Sequence, residues 1–208
     1  MKTLILFLLI SIVNNIFAQE IKTDGNKILS VKTGIDVLEE TNFEILKDKK
    51  IGLITDPTGV NKKLKSTVDI LNETKVCKLV ALFGPEHGVR GDYTAGEYVE
   101  SYIDEKTKLP VYSLYGKNRK PNKEMLKNID ALVYDIQDIG CRSYTYISTR
   151  GLAMEAAAEN NIEFIVLDRP NPINGIKVEG NLVEDGFISF VSQFKIPYVY
   201  GLTVGELA

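Results

Sequence analysis

Apolar segments alternate with amphipathic segments along most of this chain. Five short apolar runs predict β-strands, and three of them, at 80–83, 131–134 and 164–167, are unbroken rather than alternating. Unbroken apolar strands are typical of a sheet that is covered on both faces. Strands that alternate with helices therefore predict an α/β fold with a doubly wound, mainly parallel sheet. The predicted strands are 51–55, 79–83, 110–114, 131–136 and 164–167, and the predicted helices are 37–46, 66–72, one opened by Pro121, and 148–160.

The first eighteen residues have the order of a secretory signal peptide. Lys2 precedes an apolar run at 4–13, and a short polar stretch then leads to Ala18. The run is about half of the ~20 residues that a membrane-spanning helix needs. We therefore expect an exported protein, periplasmic or extracellular, that is cleaved before Gln19 and makes no stable membrane insertion. Residues 19–32 are polar and predict a lead-in segment, which leaves 33–208 as the folded domain.

Composition removes several classes of function. The chain has 25 Lys and Arg against 28 Asp and Glu, a net charge of −3, so bulk charge argues against a nucleic-acid binder. Two Cys and one His exclude a zinc cluster and a disulfide scaffold. No G-x-G-x-x-G, H-E-x-x-H, C-x-x-C or acidic calcium loop is present, so we predict neither a nicotinamide cofactor nor a metal. Whether Cys77 and Cys141 pair stays open, because spacing alone cannot decide it.

Polar side chains crowd the ends of the predicted strands. In open α/β sheets ligands bind in the crevice outside the carboxyl ends of the strands, so these positions hold the candidate chemistry. The connection from Phe83 to Leu109 is far longer than the two to six residues of an ordinary βα turn, which makes it a candidate binding loop.

Four long motifs resemble the exo-β-N-acetylmuramidase family, NamZ or YbbC-like. They are Leu82-Phe-Gly-Pro-Glu-His-Gly-Val-Arg-Gly91, Asp135-Ile-Gln-Asp-Ile-Gly140 with Tyr144-Thr-Tyr-Ile147, Leu167-Asp-Arg-Pro-Asn-Pro-Ile-Asn-Gly175, and Gly201-Leu-Thr-Val-Gly-Glu-Leu-Ala208. The resemblance implies removal of β-1,4-linked N-acetylmuramic acid from the non-reducing end of peptidoglycan fragments, in cell-wall turnover and recycling. It also implies a Rossmann-like N-terminal half, an ancillary C-terminal domain and an active site in the cleft between them.

The last residues predict the start of a further helix. Thr203 and Glu206 have the spacing of a capping box, and only two residues follow them. Members of the family that the chain resembles are longer than this chain. We therefore expect it to correspond to the Rossmann-like half alone.

Glu86 is the first candidate for the catalytic acid that glycoside cleavage requires. Pro85 fixes the backbone before it, and neighbouring glycines allow a sugar to approach closely. A solvated loop glutamate is the alternative. The candidates for a second carboxylate are Asp135, Asp138 and Glu97.

Arg90 is a candidate for binding the lactyl carboxylate of muramic acid, because a guanidinium matches a carboxylate with two parallel hydrogen bonds. Arg142 and Arg169 compete for the same role. The alternative for all three is an internal salt bridge to Asp135, Asp138 or Asp168.

The remaining candidates each have a structural alternative. His87, the only histidine, either orients Glu86 and contacts a sugar or is a structural residue. Tyr144 and Tyr146 form either a stacking wall or aromatic core. The other substrate-binding candidates are Gln137, Asp168, Asn171 and Asn174, of which the two asparagines are also routine turn residues.

Two rival functions from other classes stay open. One is a carbohydrate-binding module that keeps the sugar site without catalysis. The other is an esterase or amidase on the same substrate, which is disfavoured because the sequence has no G-x-S-x-G motif.

Overall fold

The computed structural model describes residues 31–94, 96–97 and 100–208. The predicted signal peptide and almost all of the predicted lead-in lie outside the described residues. Residues Lys32–Ala208 form one compact unit. Within the described ranges no helix is long and apolar enough to cross a membrane.

A six-stranded sheet organises the unit, and five of its strands are parallel. The strands lie in the order β3-β4-β2-β1-β5-β6, and β3 pairs antiparallel with β4 at one edge. The strand order reverses beside β1, whose neighbours β2 and β5 continue the chain in opposite directions across the sheet, as in a Rossmann-like doubly wound fold. The strands are β1 Lys50–Thr55, β2 Lys78–Gly84, β3 Tyr102–Ile103, β4 Pro110–Ser113, β5 Ala131–Asp135 and β6 Glu163–Val166.

Both faces of the sheet are covered, as the unbroken apolar strands predict. Helices α1 (Gly34–Glu40) and α2 (Thr67–Glu73) pack on one face, where Leu53 of β1 and Val133 of β5 point. Helix α3 (Tyr146–Glu159) packs on the other face over Ile54, Leu132 and their neighbours. Alternate residues of β1 and β5 thus enter two separate cores. The α/β, doubly wound prediction is confirmed.

The predicted and the observed elements differ at three places. The predicted helix 37–46 is divided into α1 and a 3₁₀ turn at Glu44–Leu46, because Asn42 and Phe43 adopt left-handed backbone angles that end α1. The helix predicted after Pro121 is wrong: residues 123–128 form turns only, and the left-handed Asn128 ends them before β5. The short strand β3, inside the long connection, was not predicted.

Cys77 and Cys141 are both free thiols. Cys77 lies directly before β2, at the amino end of the sheet, and Cys141 lies beyond the carboxyl end of β5. Parallel strands rise about 3.3 Å per residue, so the length of the sheet separates the two residues. A disulfide between them is therefore incompatible with this fold.

Helix α1 touches the end of β6 so closely that its first residue must be glycine. The Gly34 N–H donates to the Asp168 carbonyl at 2.7 Å, and a Cβ at position 34 would lie 2.4 Å from the Leu167 carbonyl carbon. We expect Gly34→Ala to lower the free energy of unfolding by about 1–3 kcal/mol, the usual cost of overpacking. Urea unfolding measures this change.

Gly175→Ala is the matched control, because a Cβ at position 175 meets no atom within 4 Å. Its unfolding free energy should stay within about 0.5 kcal/mol of the original value. Equal stability of the two variants would contradict the close approach of α1 to β6.

Candidate active site

Asp135, at the end of β5, is fully buried in an internal ion pair. Its Oδ1 accepts from Arg169 Nε at 2.7 Å and its Oδ2 accepts from Arg169 Nη2 at 3.1 Å. The Thr67 hydroxyl, at the start of α2, also donates to Oδ2. Burial raises the pKa of Asp135, and the hydrogen bonds and charge of Arg169 oppose that rise. Asp135 and Arg169 thus form an internal salt bridge, which the sequence analysis gave as the alternative to a ligand-binding role for Arg169.

Arg90 is likewise bound within the protein. Its Nε and Nη2 donate to the two carboxylate oxygens of Asp104 at 3.1 and 3.2 Å, and its Nη1 donates to Asp69. Although burial by itself would raise it, hydrogen bonds from Arg90 and Thr107 lower the pKa of Asp104 to about 2. The Arg90 N–H groups that a lactyl carboxylate would need are therefore already bound to Asp104.

Arg142 and Asp138 hold the irregular segment that follows β6. The Arg142 Nη1 donates to the carbonyls of Asn181 and Ile196 at 2.6 and 2.8 Å. Asp138 is buried; its Oδ1 accepts from the Tyr200 hydroxyl and from the Gly140 N–H, while its Oδ2 has no partner among the described residues. Burial raises the pKa of Asp138. These contacts anchor residues 179–200 against the carboxyl edge of the sheet.

Three polar side chains of the loop after β6 stabilise backbone turns, namely Asp168, Asn171 and Asn174. The Asp168 carboxylate accepts from the Gly205 N–H and the Thr203 hydroxyl, and Thr203 and Glu206 make both bonds of the predicted capping box around a turn at 204–207. The side-chain oxygens of the two asparagines accept from backbone N–H groups two residues further on. Gln137, in the loop after β5, donates its side-chain amide to the carbonyls of Asp138 and Pro170.

The long connection after β2 also holds the predicted residues Glu86, His87 and Glu97. Glu86 is half-buried, and its Oε1 accepts from the Gly96 N–H at 2.9 Å. His87 has a left-handed backbone and its Nδ1 lies 3.1 Å from the Tyr93 carbonyl oxygen. Glu97 is exposed and accepts from the Thr94 backbone and hydroxyl, and these bonds lower its pKa. A lowered pKa suits a turn-forming carboxylate better than an acid.

Two carboxylates and two tyrosines meet where strands β4, β2 and β1 end, and we call Asp56, Glu86, Tyr115 and Tyr146 the edge cluster. Tyr115 follows β4; burial raises its pKa, and the neighbouring Glu86 carboxylate adds to the rise. Tyr146 begins α3; burial raises its pKa, and the nearby charges of Asp56 and Glu86 add to the rise. Asp56, beside the reversal of strand order, is buried and accepts from the Thr58 N–H at 2.8 Å.

The edge cluster has the properties of a sugar site. It combines a half-buried carboxylate with phenol groups that donate and accept hydrogen bonds. The exposed Tyr144 ring lies beside Tyr146, with 6.2 Å between ring centroids, and offers an apolar face at the rim. The described residues contain no group of three or more His, Cys, Asp or Glu side chains placed to hold a metal. The arrangement supports acid–base chemistry on a hydroxylated ligand.

The sequence predictions did not include Asp56 and Tyr115 in the site. Each directly follows a predicted strand, 51–55 for Asp56 and 110–114 for Tyr115. The reasoning that selected Glu86, which is that ligands bind at the carboxyl ends of the strands, therefore applied to both residues as well. A cavity of about 280 Å³ lies elsewhere, behind α3, lined by Ile147, Met154, Phe194 and Leu207 among others. That cavity is mainly apolar, and neither Asp56 nor Glu86 is among its lining residues.

Comparisons with known proteins show which family the chain belongs to. Residues 51–208 match the family model described as exo-β-N-acetylmuramidase NamZ, N-terminal. The chain is 59% identical over 187 residues to the peptidoglycan β-N-acetylmuramidase NamZ of Bacillus subtilis (strain 168), covering 90% of this chain and 45% of that protein. The chain thus spans less than half the length of this curated relative.

Two crystal structures of DUF1343 family proteins from Bacteroides fragilis NCTC 9343 have the same fold. One is 71% identical with a TM-score of 0.80, and the match covers 85% of this chain and 44% of that protein. The second is 35% identical with a TM-score of 0.70, and the match covers 86% and 46%.

Removal of Arg169 tests the buried ion pair. Arg169→Met leaves the Asp135 carboxylate buried without its cation, and we expect a loss of about 3–5 kcal/mol in unfolding free energy at pH 7. Without Arg169 the folded-state pKa of Asp135 rises further above its unfolded value. The loss should therefore shrink as pH falls towards that raised pKa, because protonation removes the unpaired charge.

Lys177→Ala is the control, since it breaks an exposed ion pair with Glu179. It should cost less than about 1 kcal/mol. Chemical unfolding from pH 7 to pH 5 measures both variants, and a loss for Arg169→Met that does not change with pH would contradict the role of the Asp135 charge.

Proposed function

The chain belongs to the exo-β-N-acetylmuramidase NamZ family, and we propose that it hydrolyses the β-1,4 bond of a terminal N-acetylmuramic acid at the non-reducing end of peptidoglycan fragments. The name of the Bacillus subtilis relative supports a peptidoglycan substrate. The observation that carries the proposal is Glu86, a half-buried carboxylate at the end of β2 that lies inside the matched region and beside Tyr115.

Glu86 is the proposed general acid. Hydrolysis requires a proton on the departing glycosidic oxygen and a water that adds to the anomeric carbon. In the proposed step Glu86 gives its proton to that oxygen, the bond from the anomeric carbon to the oxygen breaks, and water supplies the new hydroxyl and returns a proton to solvent or enzyme. The Gly96 N–H holds the carboxyl group in place, and the Tyr115 phenol lies near it.

Tyr146 and Tyr144 are the proposed sugar-binding wall. Asp56 interacts with the Tyr146 hydroxyl and is itself fixed by Thr58, so it acts as a positioning residue for the phenol. Burial raises the pKa of Asp56. A phenol beside Glu86 can bind a sugar hydroxyl or the acetamido group, while the Tyr144 ring covers an apolar sugar face.

We also propose that the protein acts outside the cytoplasm, in cell-wall turnover. Lys2, the apolar run at 4–13 and Ala18 support export with removal of the first eighteen residues. A peptidoglycan-derived saccharide with terminal N-acetylmuramic acid is the proposed partner.

Export predicts a processed N-terminus. Mass spectrometry of the protein purified from its natural host should give a mature chain that begins at or near Gln19. Recovery of the chain with Met1 from the cytoplasm alone would contradict export.

Glu86→Gln tests the acid. It keeps the size and most hydrogen bonds of the side chain but carries no transferable proton near neutral pH. In the full-length protein we expect turnover of a disaccharide with terminal N-acetylmuramic acid to fall about 10²–10⁴-fold, with little change in binding or melting temperature. An aryl glycoside with an acidic leaving group should lose much less, because that group departs with little protonation.

Glu105→Gln is the matched control, an exposed carboxylate on the same connection between β2 and β4, and it should turn over both substrates normally. Near-normal turnover by Glu86→Gln would remove Glu86 from the acid role. Tight binding of the disaccharide by the original protein without release of free sugar would instead favour the carbohydrate-binding module.

A further inference from the structure

Arg119, in the loop after β4, presents a guanidinium group to solvent from a fixed support. Its Cζ lies 4.5 Å above the centroid of the Phe190 ring. Phe190 is only 6% exposed, and its ring packs against Tyr115 with 6.4 Å between centroids. A guanidinium stacked on a buried ring loses less side-chain freedom on binding than one on a free side chain. Arg119 is thus prepared to bind an anion.

The other four arginines of the chain are occupied. Arg90 and Arg169 are held by carboxylates, Arg142 donates to two carbonyls, and the buried Arg150 donates to the carbonyls of Val204 and Leu207. Arg119 has no carboxylate oxygen within 4 Å in residues 31–94, 96–97 and 100–208. Among these five arginines it is the exposed one whose guanidinium still lacks an acceptor there.

Arg119 also lies beside the edge cluster. The Tyr115 ring packs against Phe190, and its hydroxyl lies near the Glu86 carboxylate, which acts on its pKa. The charge of Arg119 acts on the Tyr115 hydroxyl, lowering a pKa that burial and Glu86 raise. Arg119, Tyr115 and Glu86 thus form a row along the carboxyl ends of β4 and β2.

We propose that Arg119 binds the lactyl carboxylate of N-acetylmuramic acid and so selects this sugar over N-acetylglucosamine. The two sugars differ by the lactyl ether, whose carboxylate is the single anionic group of the ligand. A planar guanidinium offers that carboxylate two parallel hydrogen bonds. The inference rests on the proposed function, because it assumes that the sugar is bound with its glycosidic bond at Glu86.

Arg119→Ala tests the selection directly. The ligands are N-acetylmuramic acid, its methyl ester, which keeps the shape of the lactyl group without the charge, and N-acetylglucosamine, each titrated into the full-length protein and followed by NMR. We expect Arg119→Ala to weaken binding of N-acetylmuramic acid about 10- to 100-fold and to leave the two uncharged ligands nearly unchanged. Arg119→Lys should recover part of the loss, because it keeps the charge without the fork.

Lys117→Ala is the matched control. Lys117 is an exposed cation two residues away on the same loop. Its removal should change binding of N-acetylmuramic acid less than twofold, which separates a specific contact from the general effect of positive charge. Because Arg119 is exposed, its substitution should leave the melting temperature unchanged.

The outcomes separate this proposal from the proposed function. If the original protein releases N-acetylmuramic acid from a disaccharide and Arg119→Ala keeps the original preference, the role of Arg119 is refuted and the hydrolase remains. If the original protein releases no sugar but Arg119→Ala loses binding of N-acetylmuramic acid selectively, the hydrolase is refuted and the role of Arg119 remains. Equal weakening of all three ligands, or no preference in the original protein, would overturn the assignment of Arg119.

Discussion

The carboxyl edge of the sheet depends on one buried ion pair, between Asp135 and Arg169. It joins the end of β5 to the loop after β6, and Thr67 and the Val60 carbonyl bring the start of α2 and the loop after β1 to the same point. The Thr55 hydroxyl completes the junction by donating to the Asp135 carbonyl at 2.7 Å. Because two charges are costly to bury unless each meets its partner in good geometry, this junction has few alternative arrangements. The loops that follow β1, β5 and β6 are therefore fixed relative to one another.

That junction divides the polar residues of the edge into two groups. Asp135, Arg169 and Asp168 have internal partners and hold the loops together, and Asp138 is bound on one oxygen by Tyr200 and Gly140. On the side of β2 and β4, Glu86, Tyr115 and Arg119 lie beside solvent, and Arg119 has no acceptor among the described residues. A ligand at this edge thus meets the Glu86 carboxyl group and the Arg119 guanidinium on one side. Asp56 follows β1, where the strand order reverses, and the charges of Asp56 and Glu86 both act on the Tyr146 hydroxyl.

The sequence predicted the fold well because the fold is encoded by local patterns. Each buried strand is an apolar run, and α3 is an Ala-rich segment, so their bounds were predicted to within about two residues. The prediction of a helix after Pro121 was wrong because Asn128 adopts a left-handed backbone conformation, which hydrophobic periodicity does not reveal, and this residue ends the turns early.

The site was harder to predict. The sequence identifies arginines and aspartates at strand ends, but it cannot say which of them pair with each other. Arg90 and Asp104 are fourteen residues apart, and Asp135 and Arg169 thirty-four, so their pairing depends on the folded topology. Arg119 was missed because its support, Phe190, lies far along the chain.

The proposed function requires the edge cluster to hold the scissile bond. A crystal structure of the full-length protein with a thio-linked disaccharide that ends in N-acetylmuramic acid tests it most directly, because the sulfur atom replaces the glycosidic oxygen and resists hydrolysis. We expect the sulfur to lie within hydrogen-bonding distance of the Glu86 carboxyl group, with the sugar ring against Tyr144 and Tyr146. A disaccharide bound in the cavity behind α3, or one whose linkage lies away from Glu86, would contradict the proposed role of Glu86.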